Sequence, residues 1–320
     1  MDNENRPAGD ADGDTAGLSP NSFARTYRSG VPLALAQKPD SQESGSSLET
    51  RDVTLDGQRL RIGIKAGPVG GTPLLICNGI GASIEVLEPF IRMLDGVECI
   101  AFDAPGVGGS PAPVLPYRFW NLAGMLARLL DHLGYRQVDV MGYSWGGALA
   151  QQFAFSHPSR CRRLILAATS TGALSVPGRF SVMSKMLTPR RYLDPAYLAE
   201  IAPELYGGEL RDPELARSYA LGRRIKQPSL HGYSYQLLAG MGWTSLPWLP
   251  FFRQPTLILA GSDDPLIPLV NARLMASLIP RAELHVVDSG HMFLLSRAQE
   301  LVPVIRRFLN GGAPTAKRKP

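Results

Sequence analysis

The chain has little cysteine, no long apolar run and no strong charge bias, and each scarcity excludes something. Three cysteines in 320 residues are too few, and odd in number, for a disulfide framework, and they lack metal-ligand spacing. Cys77 and Cys99 sit in apolar strand-like runs and Cys161 in a connector, which fits a reducing compartment. No apolar stretch is long enough to span a bilayer. The opening "MDNENRPAGDADGD" has neither the basic nor the apolar region of a secretory signal, so the expected location is cytoplasmic. A net charge of +5, with no basic stripe interleaved with aromatics, argues against nucleic acid as a partner.

What is present is an alternation. Residues 1–50, rich in Asp, Gly, Ser, Asn and Pro, bury too little apolar surface to offset their ordering entropy and read as a disordered leader. Residues 311–320 read as a disordered tail. Between them, "DVTLDGQRLRIGI" places two alternating segments around Asp56-Gly57, a hairpin signal. Six short apolar runs follow: "PLLICNG", "VECIAFD", "QVDVMGY", "RRLILAAT", "PTLILAG" and "AELHVVD". Such runs suit strands covered on both faces. Helix-period segments such as "FWNLAGMLARLLDHLG" separate them. This beat predicts an α/β fold: a mostly parallel, eight-stranded, doubly wound sheet with helices on both faces. The beat stops over residues 171–253, which hold Pro-punctuated helical pieces rich in Tyr, Trp, Met and Leu. They are expected to form a helical lid, leaving 51–170 and 254–310 as the core.

One turn carries chemistry. Gly142-Tyr143-Ser144-Trp145-Gly146 fits G-x-S-x-G between a strand and a helix, where a sharp bend presents the serine hydroxyl at a helix N-terminus. The five-letter pattern alone is weak, because Gly and Ser are common in turns; the strand-and-helix placement raises it. A hydroxyl needs a base, and such help is worth about 100- to 10,000-fold. Five histidines are available. His132, His157, His231 and His285 fall on a helix face, a helix end, the expected lid and inside a strand. Only His291, in "DSGHMF", follows a strand in a Gly-containing loop late in the chain. The base needs an acid to hold its tautomer. "GSDDPLIP" offers Asp263 and Asp264; the spacing from Gly261 to Pro268 selects Asp264 and leaves Asp263 as a turn or capping residue. Backbone N–H groups of Trp145 and of Ile80, in "NGIGAS", are the expected oxyanion donors, each worth about 3–4 kcal/mol. "FDAPGVGGS" lacks the spacing and the Lys of a nucleotide loop. No cofactor and no metal are called for.

These features together resemble the α/β hydrolase superfamily. "YGGELRDPELA", "LLAGMGWTS", "SWGGALAQQFA", "PTLILAGSDDPLIPLVNARL" and "DSGHMFLL" narrow the likeness to intracellular depolymerases of medium-chain-length poly(3-hydroxyalkanoates), from about Val53 to Leu309. The first fifty residues depart from that family's pattern. The resemblance implies the triad Ser144, Asp264, His291, and a water-insoluble polyester stored in cytoplasmic granules as substrate and surface partner. Related polyester synthases carry cysteine in the equivalent box, whereas this chain has Ser144 there, which argues for breaking the polymer. Medium-length alkyl arms need an apolar cleft, where each buried CH₂ is worth about 0.8 kcal/mol. Tyr235, Met241, Trp243, Trp248, Phe251 and Phe252 are the expected lining, with Asn78 bracing the oxyanion loop beside it. The same triad also suits a soluble carboxylesterase or thioesterase, or acyl transfer to CoA. A non-catalytic granule-surface protein is a different class of reading, disfavoured because all three triad residues are in place.

Overall fold

A computed structural model describes residues 47–223 and 225–311 of the protein. The expected leader and tail lie almost wholly outside the described residues. One boundary moves: the first strand begins at Leu48, within the stretch expected as leader. The strands are β1 (Leu48–Leu55), β2 (Gln58–Lys65), β3 (Leu74–Cys77), β4 (Cys99–Phe102), β5 (Val138–Tyr143), β6 (Cys161–Ala167), β7 (Thr256–Gly261) and β8 (Ala282–Val287). Between and after them run α1 (Ile84–Met93), α2 (Phe119–His132), α3 (Trp145–Ser156), α4 (Phe180–Ser184), α5 (Arg190–Leu193) and α6 (Pro195–Tyr206). Then come α7 (Pro213–Gly222), α8 (Leu230–Gly240), α9 (Leu269–Leu278), α10 (Phe293–Ser296) and α11 (Ala298–Leu309).

The strands form one eight-stranded sheet ordered β1-β2-β4-β3-β5-β6-β7-β8. β1 and β2 are an antiparallel hairpin in which Leu55 faces Gln58. Asp56 and Gly57 take positive φ there, the backbone a tight two-residue turn requires. β2 joins β4 antiparallel and the pairings from β4 onward are parallel. Every residue of β3, β4, β5 and β7 is buried, which is why these strands read as unbroken apolar runs. Alternate residues feed opposite layers: Leu74 and Ile76 pack with α1 and α11, while Leu75 and Cys77 pack with α2, α3 and α9. Each fully buried Leu or Ile contributes roughly 1.5–3 kcal/mol. Cys161, expected in a connector, is the first residue of β6 and is buried.

Among the described residues, five α-helices, α4 to α8, and two short 3-10 helices (Gly208–Arg211 and Leu246–Phe251) stand between β6 and β7. Asp194 and Asp212 start α6 and α7 by accepting the N–H groups of Tyr197 and Glu214, with proline in the first turn, where a missing N–H does no harm. The two ends of the insertion close on each other: Gly172 bridges Thr244, and Ala173 donates to the Trp243 carbonyl at 2.7 Å. Among the described residues, no helix is long and apolar enough to cross a membrane, and no cluster of His, Cys, Asp or Glu is arranged to hold a metal ion.

Candidate active site

Ser144 caps the N-terminus of α3 directly after β5, with φ 54° and ψ −121°. A non-glycine residue held there stores about 1–3 kcal/mol of strain. Its flanking glycines have no alternative. A Cβ on Gly142 would lie 2.4 Å from the Gly146 carbonyl oxygen, and one on Gly146 would lie 2.1 Å from that of Cys77. The tight bend aims the hydroxyl off the sheet's carboxyl edge.

His291 arrives from the loop after β8. Its Nε2 lies 3.1 Å from Ser144 Oγ and its Nδ1 2.7 Å from Asp264 Oδ2. Asp264, at the end of β7, accepts the N–H groups of Leu266 and Ile267 on Oδ1, each at 2.9 Å. Its other oxygen is thereby fixed toward the ring. His291 and Asp264 are buried, and Ser144 is half-buried. The His291 backbone is clamped on both sides: its N–H donates to the Tyr206 carbonyl at 2.6 Å and its carbonyl accepts the Tyr143 hydroxyl at 2.8 Å. An imidazole so placed can take the serine proton while a carboxylate steadies the cation that forms. Asp263 points elsewhere. It accepts two bonds from Arg211 and one from the Gly208 N–H, and the Arg211 guanidinium holds its carboxyl below the usual range. Rather than a simple turn residue, it ties the insertion to the sheet edge.

The loop after β3 passes close to the serine; a Cβ on Gly79 would sit 3.7 Å from Ser144 Cβ. Asn78 braces this loop, donating to the Ser83 carbonyl and accepting the Gly79 N–H. Among the described residues, neither the Ile80 N–H nor the Trp145 N–H donates to a protein acceptor, whereas the neighbouring Gly79, Gly81 and Ala82 N–H groups all do. Unpaired N–H groups in buried backbone are rare, and a pair beside a serine can receive developing negative charge.

Sequence reasoning missed the residues that set this loop. The Ile80 carbonyl accepts the Tyr192 hydroxyl at 2.7 Å and Arg191 Nη2 at 3.2 Å. Gln236 accepts the Gly81 N–H on its side chain at 2.6 Å and the Trp145 indole N–H on its carbonyl at 2.8 Å. One residue of α8 therefore touches both segments expected to donate to an oxyanion. The sequence signal was slight: a Gln in the second half of α8 among Tyr, Leu and Ala.

The expected apolar lining is corrected. The cleft over Ser144 is walled by Ile80, Val86, Met186, Arg191, Tyr192, Tyr206, Tyr219, Arg223, Leu266 and Met292. Of the expected set, Trp243 is buried in the sheet's helical layer, against Phe119, with its indole N–H on Gln152. Trp248 stacks on Phe155, and Phe252 is buried in the same layer. Tyr235 reaches the Val114 carbonyl, while Met241 and Phe251 are exposed. These aromatics form the base by which the insertion is rooted, because its two ends must leave and rejoin the sheet there.

Residues 72–298 match the α/β hydrolase fold family. The chain is 54% identical over 261 residues to a poly(3-hydroxyalkanoate) depolymerase of Ectopseudomonas oleovorans, covering 81% of this chain and 92% of that protein. It is 26% identical to 3-oxoadipate enol-lactonase 2 of Acinetobacter baylyi, over 71% of this chain and 84% of that one. Among solved structures, a meta-cleavage product hydrolase from Pseudomonas fluorescens superposes with a TM-score of 0.69 at 20% identity, covering 81% of this chain and 97% of the other. At that identity the likeness speaks for the fold.

Proposed function

The chain belongs to the α/β hydrolase family, and from that premise we propose that it is a serine hydrolase cleaving the ester bonds of a poly(3-hydroxyalkanoate) storage polyester. The observation that carries the reading is the unbroken Ser144–His291–Asp264 relay in a chain 54% identical to such a depolymerase. Ser144 Oγ attacks the ester carbonyl as His291 Nε2 takes its proton. The oxyanion is received by the N–H groups of Ile80 and Trp145. His291 returns the proton to the leaving alkoxide, which departs as a hydroxyl-ended chain. Water, deprotonated by the same ring, then attacks the acyl-enzyme and releases the carboxylic acid and Ser144.

An apolar polymer also fits the outside of the insertion. Leu174, Phe180, Met183, Leu187, Leu193, Leu221 and Leu230 are exposed there, which suits contact with an apolar granule surface. Medium-length side arms and a granule location inside the cytoplasm are part of the same proposal.

The test compares the protein with its Ser144→Ala variant on native polyester granules and on soluble p-nitrophenyl esters. The wild type should release 3-hydroxy acids or oligomers from granules, and the variant should lose kcat on the order of a million-fold. Equal granule hydrolysis by the variant removes Ser144 from the mechanism. Cleavage of soluble esters with granules untouched replaces the depolymerase with a plain esterase.

A further inference from the structure

Two guanidinium groups face the cleft beside Ser144 and His291. Arg191, on α5, is 1% exposed. Its Nη1 donates to the Tyr233 hydroxyl at 2.6 Å and its Nη2 to the Ile80 carbonyl at 3.2 Å, while its buried Nε has no partner. Arg223, half-buried at the end of α7, donates to the Arg191 carbonyl and lies over the rings of Tyr192 and Tyr219. Among the described residues no carboxylate pairs with either arginine: Asp194 is engaged with Arg190, Glu204 with Lys185, Asp263 with Arg211, and Asp264 with His291. The surrounding tyrosines supply no negative charge at neutral pH, since burial pushes the Tyr206 and Tyr219 phenols up and Tyr233 to about 12. Burying a cation without an anion is unfavourable by several kcal/mol, so the arrangement is completed by a ligand that brings one. A fork of N–H donors suits a carboxylate.

A polyester of 3-hydroxy acids is neutral along its length, and its only anionic group is the carboxylate at one end. We propose that Arg191 and Arg223 form a carboxylate subsite that seats this end of a chain or oligomer and directs cleavage to its last ester bond. This rests on the polyester reading above. Ser144 attacks the carbonyl of that last ester, the terminal unit leaves as an alkoxide that takes the proton from His291, and the free 3-hydroxy acid departs from the arginines. Water then releases the shortened chain from Ser144 with a new carboxylate end, ready to be seated in turn.

The experiment uses a trimer of 3-hydroxyoctanoate as its free acid and as its methyl ester, with kcat/KM measured for each. Wild type should prefer the free acid on the order of 10- to 100-fold. Arg223→Gln and Arg191→Met should each bring the ratio close to one, and Arg191→Lys should retain part of it. Equal cleavage of acid and ester by wild type overturns the subsite, as does a preference that survives both neutral variants. Should Arg191→Met fail to fold, the less buried Arg223→Gln decides alone. If wild type cleaves both trimers equally, only the subsite falls; if it cleaves neither trimer nor granule polymer, the depolymerase reading falls with it.

Discussion

The carboxyl edge of the sheet and the helical insertion above it meet at Ser144, yet they are built from different kinds of information. At the sheet edge, each chemical group follows its own strand: Ser144 after β5, Asp264 after β7, His291 after β8. The bends at Ser144 and Asp264 are set largely by nearby residues, the glycines around Ser144 and the Leu266 and Ile267 N–H groups, whereas the His291 loop is also clamped by Tyr206 and Tyr143. In the insertion, the groups that matter act across long separations. Arg191 and Tyr192 hold a carbonyl more than one hundred residues away, and Gln236 holds the Gly81 N–H across 155 positions. In the proposed reaction the edge supplies the reacting atoms, while the insertion braces the loop after β3 and carries the two arginines of the cleft.

Substitutions can break or sharpen this contrast. The largest effect belongs to the sheet edge. Asp264→Asn keeps the geometry but favours the wrong imidazole tautomer, so kcat should fall about 10,000-fold while thermal unfolding changes little; steady-state kinetics beside calorimetry would show it. Next comes the root of the insertion. Trp243→Ala should remove about 3–5 kcal/mol of stability in denaturant titration, with little change in KM, because its ring packs on Phe119 instead of lining the cleft. A large rise in KM at intact stability would return Trp243 to the substrate wall. Gln236→Met leaves the Gly81 N–H without its acceptor. It should lower kcat about tenfold, the scale of one lost buried hydrogen bond, and leave KM nearly unchanged. A raised KM at constant kcat would make Gln236 a substrate contact instead.

The smallest effect sits on the tie between the two regions. Asp263→Asn weakens the Arg211 pair, which is largely solvated, so the loss should stay under about 1 kcal/mol. The sign with pH follows from its lowered pKa. The stabilisation is present at neutral pH and disappears as pH falls below the ordinary aspartate value of about 3.9. Melting curves of the two proteins should therefore differ at neutral pH and converge in acid, and a difference that grows in acid would contradict the assignment.

The same contrast explains what could be read in advance. The sheet and its strand count followed from six buried runs and one hairpin signal, and Ser144, Asp264 and His291 were expected from turn chemistry and chain order; the structure brings the three side chains within hydrogen-bond distance. Asp264 was separable from Asp263 by spacing alone, although the ion pair of Asp263 with Arg211 was not, since it joins residues 52 apart. The insertion announced its apolar character but not its sidedness. "AGMGWTSLPWLPFF" has the composition of a pocket wall and the packing of a foundation, and nothing in the order of its residues separates the two. Arg191 lay in "TPRRYLDP" beside Arg190; one is buried and its neighbour exposed, a difference set by which side of a four-residue helix faces inward.

The free space above Ser144 amounts to about 30 Å³, enough for a water or two, and a strand of polyester is far wider. Seating the proposed polyester there would require helices of the insertion to part, a kind of motion that runs in microseconds to milliseconds. His291 is pinned to the Tyr206 carbonyl and Gly208 sits hard against Gly290, so the α6 end of the insertion is tied to the loop that carries His291. An opening that left those ties intact would widen the cleft without displacing the base.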